Sequence, residues 1–346
     1  MNEIIDQDLK TLHENLADLQ GKIKDQTFLI TGGAGFLGSW FSDVVVGFGG
    51  RVICVDNLSS GSKKNIEHLI GNKNFVFLEK DVADYEPTEK ADYIVHMASI
   101  ATPPLYMRYP IETLDTNIIG TKKLLEFAKK SGIKGFLFTS TSEVYGNPTD
   151  EAFPTKENFH GVVNSFGARC MYDEGKRAAE AYCYSYYHTS KLPIRIARIF
   201  NTYGPRLDVE STSQYGRALV KFVHQASHGN PITVYGDGKQ TRSFCYITDQ
   251  IEGLFRLLIT PGIDGEVFNI GNPNEISIAD LAQIILEVTG SKSNVVIDSP
   301  SNYNLKDDPR RRYPDTTKAN KMFGFSAKVA LRDGLERVAA WIREAD

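Results

Sequence analysis

Thr31-Gly-Gly-Ala-Gly-Phe-Leu-Gly38 limits what this chain can fold into more than any other segment. It follows the apolar run Phe28-Leu-Ile30 and precedes a predicted helix through the forties. A G-x-x-G-x-x-G turn between a strand and a helix is the phosphate-binding corner of a dinucleotide fold. Gly32 permits the tight turn, Gly35 lets a pyrophosphate approach the backbone, and Gly38 lets the helix pack on the sheet. Phe36 and Leu37 open the helix, whose first amides and dipole favour an anion. Taken alone the glycines describe only a tight turn. Their place between strand and helix gives them meaning.

The alternation continues downstream. Arg51–Asp56, Asn74–Leu78, Tyr93–Met97, Gly135–Thr139 and Pro193–Ile199 read as buried strands. Helices are predicted over about 111–131 and 170–189, and Thr102-Pro-Pro104 reads as a loop. This pattern predicts an α/β fold with a doubly wound parallel sheet of Rossmann type. After Phe200 loops dominate, with helices near 214–229, 277–289 and 331–344, and a smaller α/β substrate-capping domain is expected. The expected division is 1–26 as a helical extension and 27–200 as the Rossmann domain, with part of 243–270 returning to it. Residues 201–242 and 271–346 form the cap. In the extension Ile5, Leu9, Leu12, Leu16, Leu19 and Ile23 step by four and three, and a helix packed on its own domain is expected.

Asp56 ends the second predicted strand. A carboxylate there accepts hydrogen bonds from a ribose 2′-OH and repels a 2′-phosphate. The nearest basic residues are Lys63 and Lys64, so NAD is expected over NADP. Asn57 joins Asp56 in the cofactor set, and Asp81 and Val82 are placed at the adenine. A helix or turn cap is nearly as good a reading of Asp81 and Val82.

Composition narrows the class. The 346 residues suffice for one or two domains, and the net charge of -4 argues against a nucleic-acid partner. No apolar run reaches the length of a membrane span. The start, Met-Asn-Glu-Ile-Ile-Asp, lacks the basic end and apolar stretch of a secretory signal, and the four cysteines are scattered. A cytoplasmic protein with reduced thiols is expected. The seven histidines form no ligand cluster, so no metal is expected.

Tyr172-Asp-Glu-Gly-Lys176 supplies chemistry. On a helix both ends of this spacing share one face. An ammonium near a phenol favours the phenolate, and such a tyrosine can take a proton from a sugar hydroxyl near neutral pH. The spacing is common by chance. It gains force from the glycine turn upstream and the hydroxyl and carboxylate cluster Thr139-Ser-Thr-Ser-Glu-Val-Tyr-Gly146 between them.

Together these motifs resemble the extended short-chain dehydrogenase/reductases that act on nucleotide sugars. Asn201-Thr-Tyr-Gly-Pro-Arg206, Tyr235-Gly-Asp-Gly-Lys-Gln-Thr-Arg242 and Asp307-Asp-Pro-Arg-Arg-Arg312 extend the resemblance to about residues 27–340. Pro103-Pro-Leu-Tyr-Met107, Arg169-Cys-Met-Tyr-Asp-Glu-Gly-Lys-Arg177 and Arg312 are most similar to the UDP-glucuronate decarboxylases. The resemblance implies retained NAD, a UDP-sugar substrate and a homodimer. It implies Tyr172 as the base at the C4 hydroxyl, Lys176 as its tuner and ribose ligand, and Thr141 as the group that orients O4. Glu143 is implied near C5 and Arg312 at the carboxylate. Asn201, Arg206 and Arg242 are implied at the diphosphate, with Gln240 in the same substrate set. Tyr235 is implied near the uridine and Tyr106 in the sugar pocket. The pattern departs at Phe166-Gly-Ala-Arg169, where a Pro-rich segment is usual, and at Phe159-His160, where Tyr-Trp is common.

The chemistry asks for these groups. A carboxyl on C5 of a hexuronate leaves readily only once C4 is a ketone, because the electrons left at C5 then form an enolate. Each residue also has a bland reading. Thr141 can cap the turn after its strand, Glu143 can be a solvated loop acid, and Tyr235 can be core. Of Arg310-Arg-Arg312 only one would point inward. A 4,6-dehydratase would need an Asp where Ser142 stands. A 4-epimerase commonly has a small residue at the Glu143 position and no need of Arg312. A non-catalytic dinucleotide-binding scaffold would not need Tyr172, Lys176 and Thr141 together.

Overall fold

Runs of β-branched and aromatic residues are covered on both faces when they pair side by side, and here they build one parallel sheet. The computed structural model describes residues 2–207, 218–298 and 309–345. The strands are β1 (Thr27–Thr31), β2 (Arg51–Asp56), β3 (Phe75–Glu79), β4 (Tyr93–His96), β5 (Gly135–Thr141) and β6 (Ile194–Ile199). Outside them the chain forms β7 (Thr202–Tyr203), β8 (Ile232–Tyr235), β9 (Thr241–Ser243) and β10 (Cys245–Tyr246), and then β11 (Val267–Ile270) rejoins the sheet beside β6. The seven-stranded order is β11-β6-β5-β4-β1-β2-β3. The order reverses between β1 and β4, which opens a crevice at their carboxyl ends. Two more strands, β12 (Glu275–Ser277) and β13 (Val295–Asp298), pair with β9 and β8.

The helices are α1 (Glu3–Asn15), α2 (Gln20–Ile23), α3 (Phe36–Gly47), α4 (Pro103–Arg108), α5 (Pro110–Asp115), α6 (Thr121–Ser131) and α7 (Cys170–Ser190). They continue as α8 (Ala218–Ser227), α9 (Ile247–Ile259), α10 (Ile278–Thr289), α11 (Thr317–Phe323) and α12 (Leu331–Ala345). The apolar stripe of the extension is buried along its whole length, from Ile5 to Ile23. It packs α1 onto α3, α9 and α12 of its own chain. Buried Asp8 fixes the contact, accepting from the Tyr246 hydroxyl at 2.5 Å and from Arg337 at 2.6 Å.

Two expectations needed correction. The Pro-rich segment after β4 is helical, because Pro103 occupies the first turn of α4, where its missing N–H costs nothing. The helix expected over 111–131 is interrupted. A π-helical turn, Thr116–Gly120, separates α5 from α6. It sets Asn117 against Gly175 of α7, where a Cβ would lie 3.3 Å from the Asn117 Cβ. Asn117 also accepts from the Ser99 hydroxyl at 2.9 Å. The first residues of the helix expected from 214, and Asp307 and Asp308 of the last motif, lie outside the described residues. Among the described residues no helix is long and apolar enough to cross a membrane, and no side-chain cluster could hold a metal ion.

Candidate active site

Every residue expected at the cofactor or the substrate lines one cavity of about 1300 Å³. One end of it is shaped by missing side chains. Gly32 has φ +71°, and a Cβ there would sit 2.6 Å from the Ala98 nitrogen. A Cβ on Gly35, which caps α3, would lie 3.0 Å from the Gly32 oxygen. A Cβ on Gly38 would meet the same oxygen and lie 2.7 Å from the Gly33 Cα. Gly38 therefore lets α3 close against the turn itself. Asp56 is buried at the end of β2, where its Oδ2 accepts from the Ala34 amide at 3.0 Å and its Oδ1 from the Leu58 amide at 2.8 Å. Burial pushes its carboxyl above the ordinary value against these backbone donors. Each oxygen keeps acceptor capacity for a ribose hydroxyl. A cradle that any Cβ would fill, a helix N-terminus and a carboxylate at the strand end fit a dinucleotide. Asn57 donates to the Asp81 Oδ2 at 2.7 Å, while the Asp81 Oδ1 accepts from the Ala83 amide at 2.8 Å. Asp81 thus caps its own turn, as its bland reading had it, while also lining the cavity with Val82.

The other end collects side chains. Tyr172 and Lys176 are both buried on α7. The Lys176 ammonium donates to the Thr139 carbonyl at 2.8 Å, and burial draws its pKa down to about 7. That carbonyl is anchored in turn, since the Thr139 hydroxyl donates to the His96 carbonyl of β4 at 3.0 Å. Tyr172 stacks on Tyr106 with centroids 5.4 Å apart and planes within 10°. Burial raises the Tyr106 phenol well above its ordinary pKa, and its hydroxyl has no hydrogen-bond partner among the described residues. Thr141 accepts from the Glu143 amide at 3.2 Å, so it does cap the turn after β5.

Glu143 is not a solvated loop acid. It hydrogen-bonds Arg169, and its Oε2 lies 3.0 Å from the Arg312 Nη1. Burial opposes its ionisation, but the Arg169, Arg312 and Arg242 charges prevail and hold its carboxyl down at about 2. Arg312, 4% exposed, also donates to the Gly146 carbonyl at 2.9 Å and to the Ser142 hydroxyl at 3.3 Å. Its neighbours turn away. Arg310 pairs with Asp237 at the surface, and Arg311 pairs with Glu275 and Asp150.

The sequence matches the NAD dependent epimerase/dehydratase family over residues 28–271. The chain belongs to that family. It is 43% identical over 317 residues to a UDP-glucuronic acid decarboxylase 2 of Arabidopsis thaliana, covering 91% of this chain and 67% of the relative. A UDP-glucuronic acid decarboxylase 1 of Xenopus tropicalis is 43% identical over 316 residues, covering 91% and 72%. Among solved structures, the UDP-glucose 4-epimerase of Thermotoga maritima with UDP-glucose superposes with a TM-score of 0.80 at 30% identity, covering 92% and 99%. A dTDP-glucose 4,6-dehydratase of Streptomyces venezuelae with NAD bound gives 0.81 at 27%, covering 92% and 97%.

Within this epimerase/dehydratase frame some groups were not anticipated. Arg169 bridges Glu143 and Asp173, with its Nε 3.6 Å from the Asp173 Oδ2. Burial, helped by the Glu143 charge, pushes the Asp173 carboxyl up to about 7 against the pull of Arg169. The Arg-x-x-x-Asp spacing at the start of a helix was the available signal. Lys221 donates to the Tyr235 hydroxyl at 3.0 Å, and nothing in its helix distinguished it. The Asn201 amide donates to the Ser243 carbonyl at 3.1 Å, Arg242 to the Thr241 carbonyl at 2.8 Å, and Gln240 to the Tyr235 carbonyl at 2.7 Å. Arg206 pairs with Asp43 at 2.6 Å and covers Trp40 at 4.9 Å while still lining the cavity.

Proposed function

We propose that this chain converts UDP-glucuronate to UDP-xylose and carbon dioxide, with NAD retained through the cycle. The single observation that carries this reading is Arg312. A buried guanidinium, turned in from a run of three and paired with Glu143, shares one cavity with Tyr172 and Lys176. The decarboxylase names of the relatives agree with it.

Bound NAD⁺ supplies an acceptor for the C4 hydride and, once reduced, a donor that returns it. Tyr172 takes the proton from O4 and later gives it back. Lys176, buried beside the end of β5, biases Tyr172 toward the phenolate and holds the nicotinamide ribose. Thr141 orients O4. The Arg312 fork receives the substrate carboxylate, for which a planar pair of donors is the matching geometry. With C4 a ketone, the C5–carboxyl bond breaks and its electrons pass into an enolate. The oxygen of that enolate accepts hydrogen bonds from Tyr172 and Thr141, an interaction that strengthens as charge develops. Glu143, held ionised, binds water near C5 and donates no proton of its own.

Asn201, Arg206 and Arg242 take the diphosphate, Gln240 and Tyr235 the uridine side, and Tyr106 the sugar. Residues 27–200, with β11, act as the dinucleotide domain. Residues 201–242 and 271–346 act as the cap. The enzyme works in the cytoplasm as a homodimer. For the dimer, Ile111, Ile119 and Tyr184 are 64%, 42% and 63% exposed on adjoining elements, namely α5, the π-turn and α7.

A 4-epimerase is the second reading, favoured by the superposed Thermotoga maritima structure. The Arg312–Glu143 pair weighs against it. Incubation with UDP-glucuronate, followed by carbon dioxide measurement and NMR of the sugar, decides. Carbon dioxide with UDP-xylose is expected. UDP-galacturonate would indicate an epimerase, and no turnover of any sugar nucleotide a scaffold.

A further inference from the structure

We propose that Asp173 supplies the proton that replaces the carboxyl group at C5, passing it through water in a side chamber behind Glu143, Arg169 and Arg312. The inference rests on the decarboxylase reading and concerns a step that reading leaves open.

Loss of carbon dioxide consumes one proton at C5. Among the cavity groups, Tyr172 carries only the proton it borrowed from O4 and must return. Glu143 is pinned as a carboxylate by three guanidiniums. Arg169 and Arg312 keep their protons at any working pH. Burial raises the Tyr106 phenol far above its ordinary value, so it holds its proton too tightly to pass it on, and the sugar end still needs an acid that is protonated near neutrality.

Asp173 meets the requirement by position. It is 6% exposed, and its Oδ1 has no hydrogen-bond partner among the described residues. It lines a chamber of about 60 Å³ that shares Glu143, Arg169, Pro309 and Arg312 with the main cavity. Asn147 and Asn164 add polar groups to that chamber. A water needs only about 10–15 Å³ of such space and two to four polar partners. Val162, 58% exposed, brings the chamber wall to the surface, so the acid can be recharged from bulk water.

The groups facing Asp173 come from four directions. Arg169 precedes α7, Glu143 follows β5, Arg312 comes from the cap and Tyr106 from α4. Burial and the Glu143 charge favour the protonated form, while both arginines oppose it, and the balance falls at about 7. The step then balances. The C5–carboxyl bond breaks and carbon dioxide leaves. The enolate pair forms a C5–H bond with a proton from chamber water, and that water takes the Asp173 proton. Solvent water afterwards restores the acid.

The test uses the full chain with UDP-glucuronate, comparing wild type, Asp173→Asn and Asp173→Glu. In Asp173→Asn, carbon dioxide release in the first turnover should stay near the wild-type rate. Protonation at C5, followed by deuterium uptake in heavy water, should slow about 10- to 100-fold, the low end for a general acid. The absorbance of reduced dinucleotide should then build up during turnover. Asp173→Glu should restore much of the loss. In wild type the C5 step should weaken as pH rises through about 7, where Asp173 deprotonates, and Asp173→Asn should lack this dependence. Unchanged C5 protonation in Asp173→Asn would overturn the proposal. So would carbon dioxide release and C5 protonation falling together, which marks a structural role. If Asp173→Asn does not fold, a wild-type C5 step flat across that pH range overturns it by itself. No carbon dioxide from wild type would instead remove the decarboxylase reading, and this inference with it.

Discussion

At the dinucleotide end of the cavity main-chain amides and gaps left by glycines surround the Asp56 carboxylate. At the sugar end side-chain charges converge from the turn after β5, the start of α7 and a segment more than a hundred residues later. The first end fails sterically, because a single methyl group at Gly38 meets main chain that cannot yield. The second fails electrically. Glu143, Arg169 and Arg312 compensate one another, and removing one leaves buried charge unmatched. A binding cradle can therefore be rigid and cheaply encoded, whereas a reacting centre needs charges whose protonation is set by one another.

Four substitutions sharpen or break that contrast. Tyr172→Phe should lower kcat by about 10²–10⁴-fold with dinucleotide still bound, measured by turnover and by the cofactor content of the purified protein. Loss of cofactor together with activity would mean the two ends are not separable. Arg312→Lys keeps the charge but not the fork, and kcat/KM for UDP-glucuronate should fall by about 10²-fold. Gly38→Ala should cost about 1–3 kcal/mol by overpacking, read as a lower Tm, and should reduce cofactor content while leaving the charge cluster intact. Arg310→Ala, two residues from Arg312 but paired with Asp237 at the surface, should leave kcat and Tm at parental values. A large effect at Arg310 would break the assignment of the inward arginine.

The same contrast explains what could be read in advance. The glycine turn and the strand alternation are local patterns, so β1, β2 and the crevice between β1 and β4 were legible. Tyr172 and Lys176 were legible because one helix carries both. The π-turn at Thr116–Gly120 was not, since a one-residue widening leaves the apolar period almost unchanged. Asp173 escaped notice for a different reason. Its carboxyl is raised chiefly by burial, with the Glu143 charge from the turn after β5 adding to it, and neither shows in the local spacing. Arg206 shows the limit of motif reasoning, because its Asp43 partner lies on α3, far away in the chain.

The first helix holds together elements that are distant in the chain. It is fastened to α3 and α9, which flank the sheet, and to α12 near the end of the described residues, with the Asp8–Tyr246–Arg337 knot between them. A buried carboxylate shared by a phenol and a guanidinium makes each of the three depend on the others, so the residues before β1 belong to the folded unit and are no appendage to it.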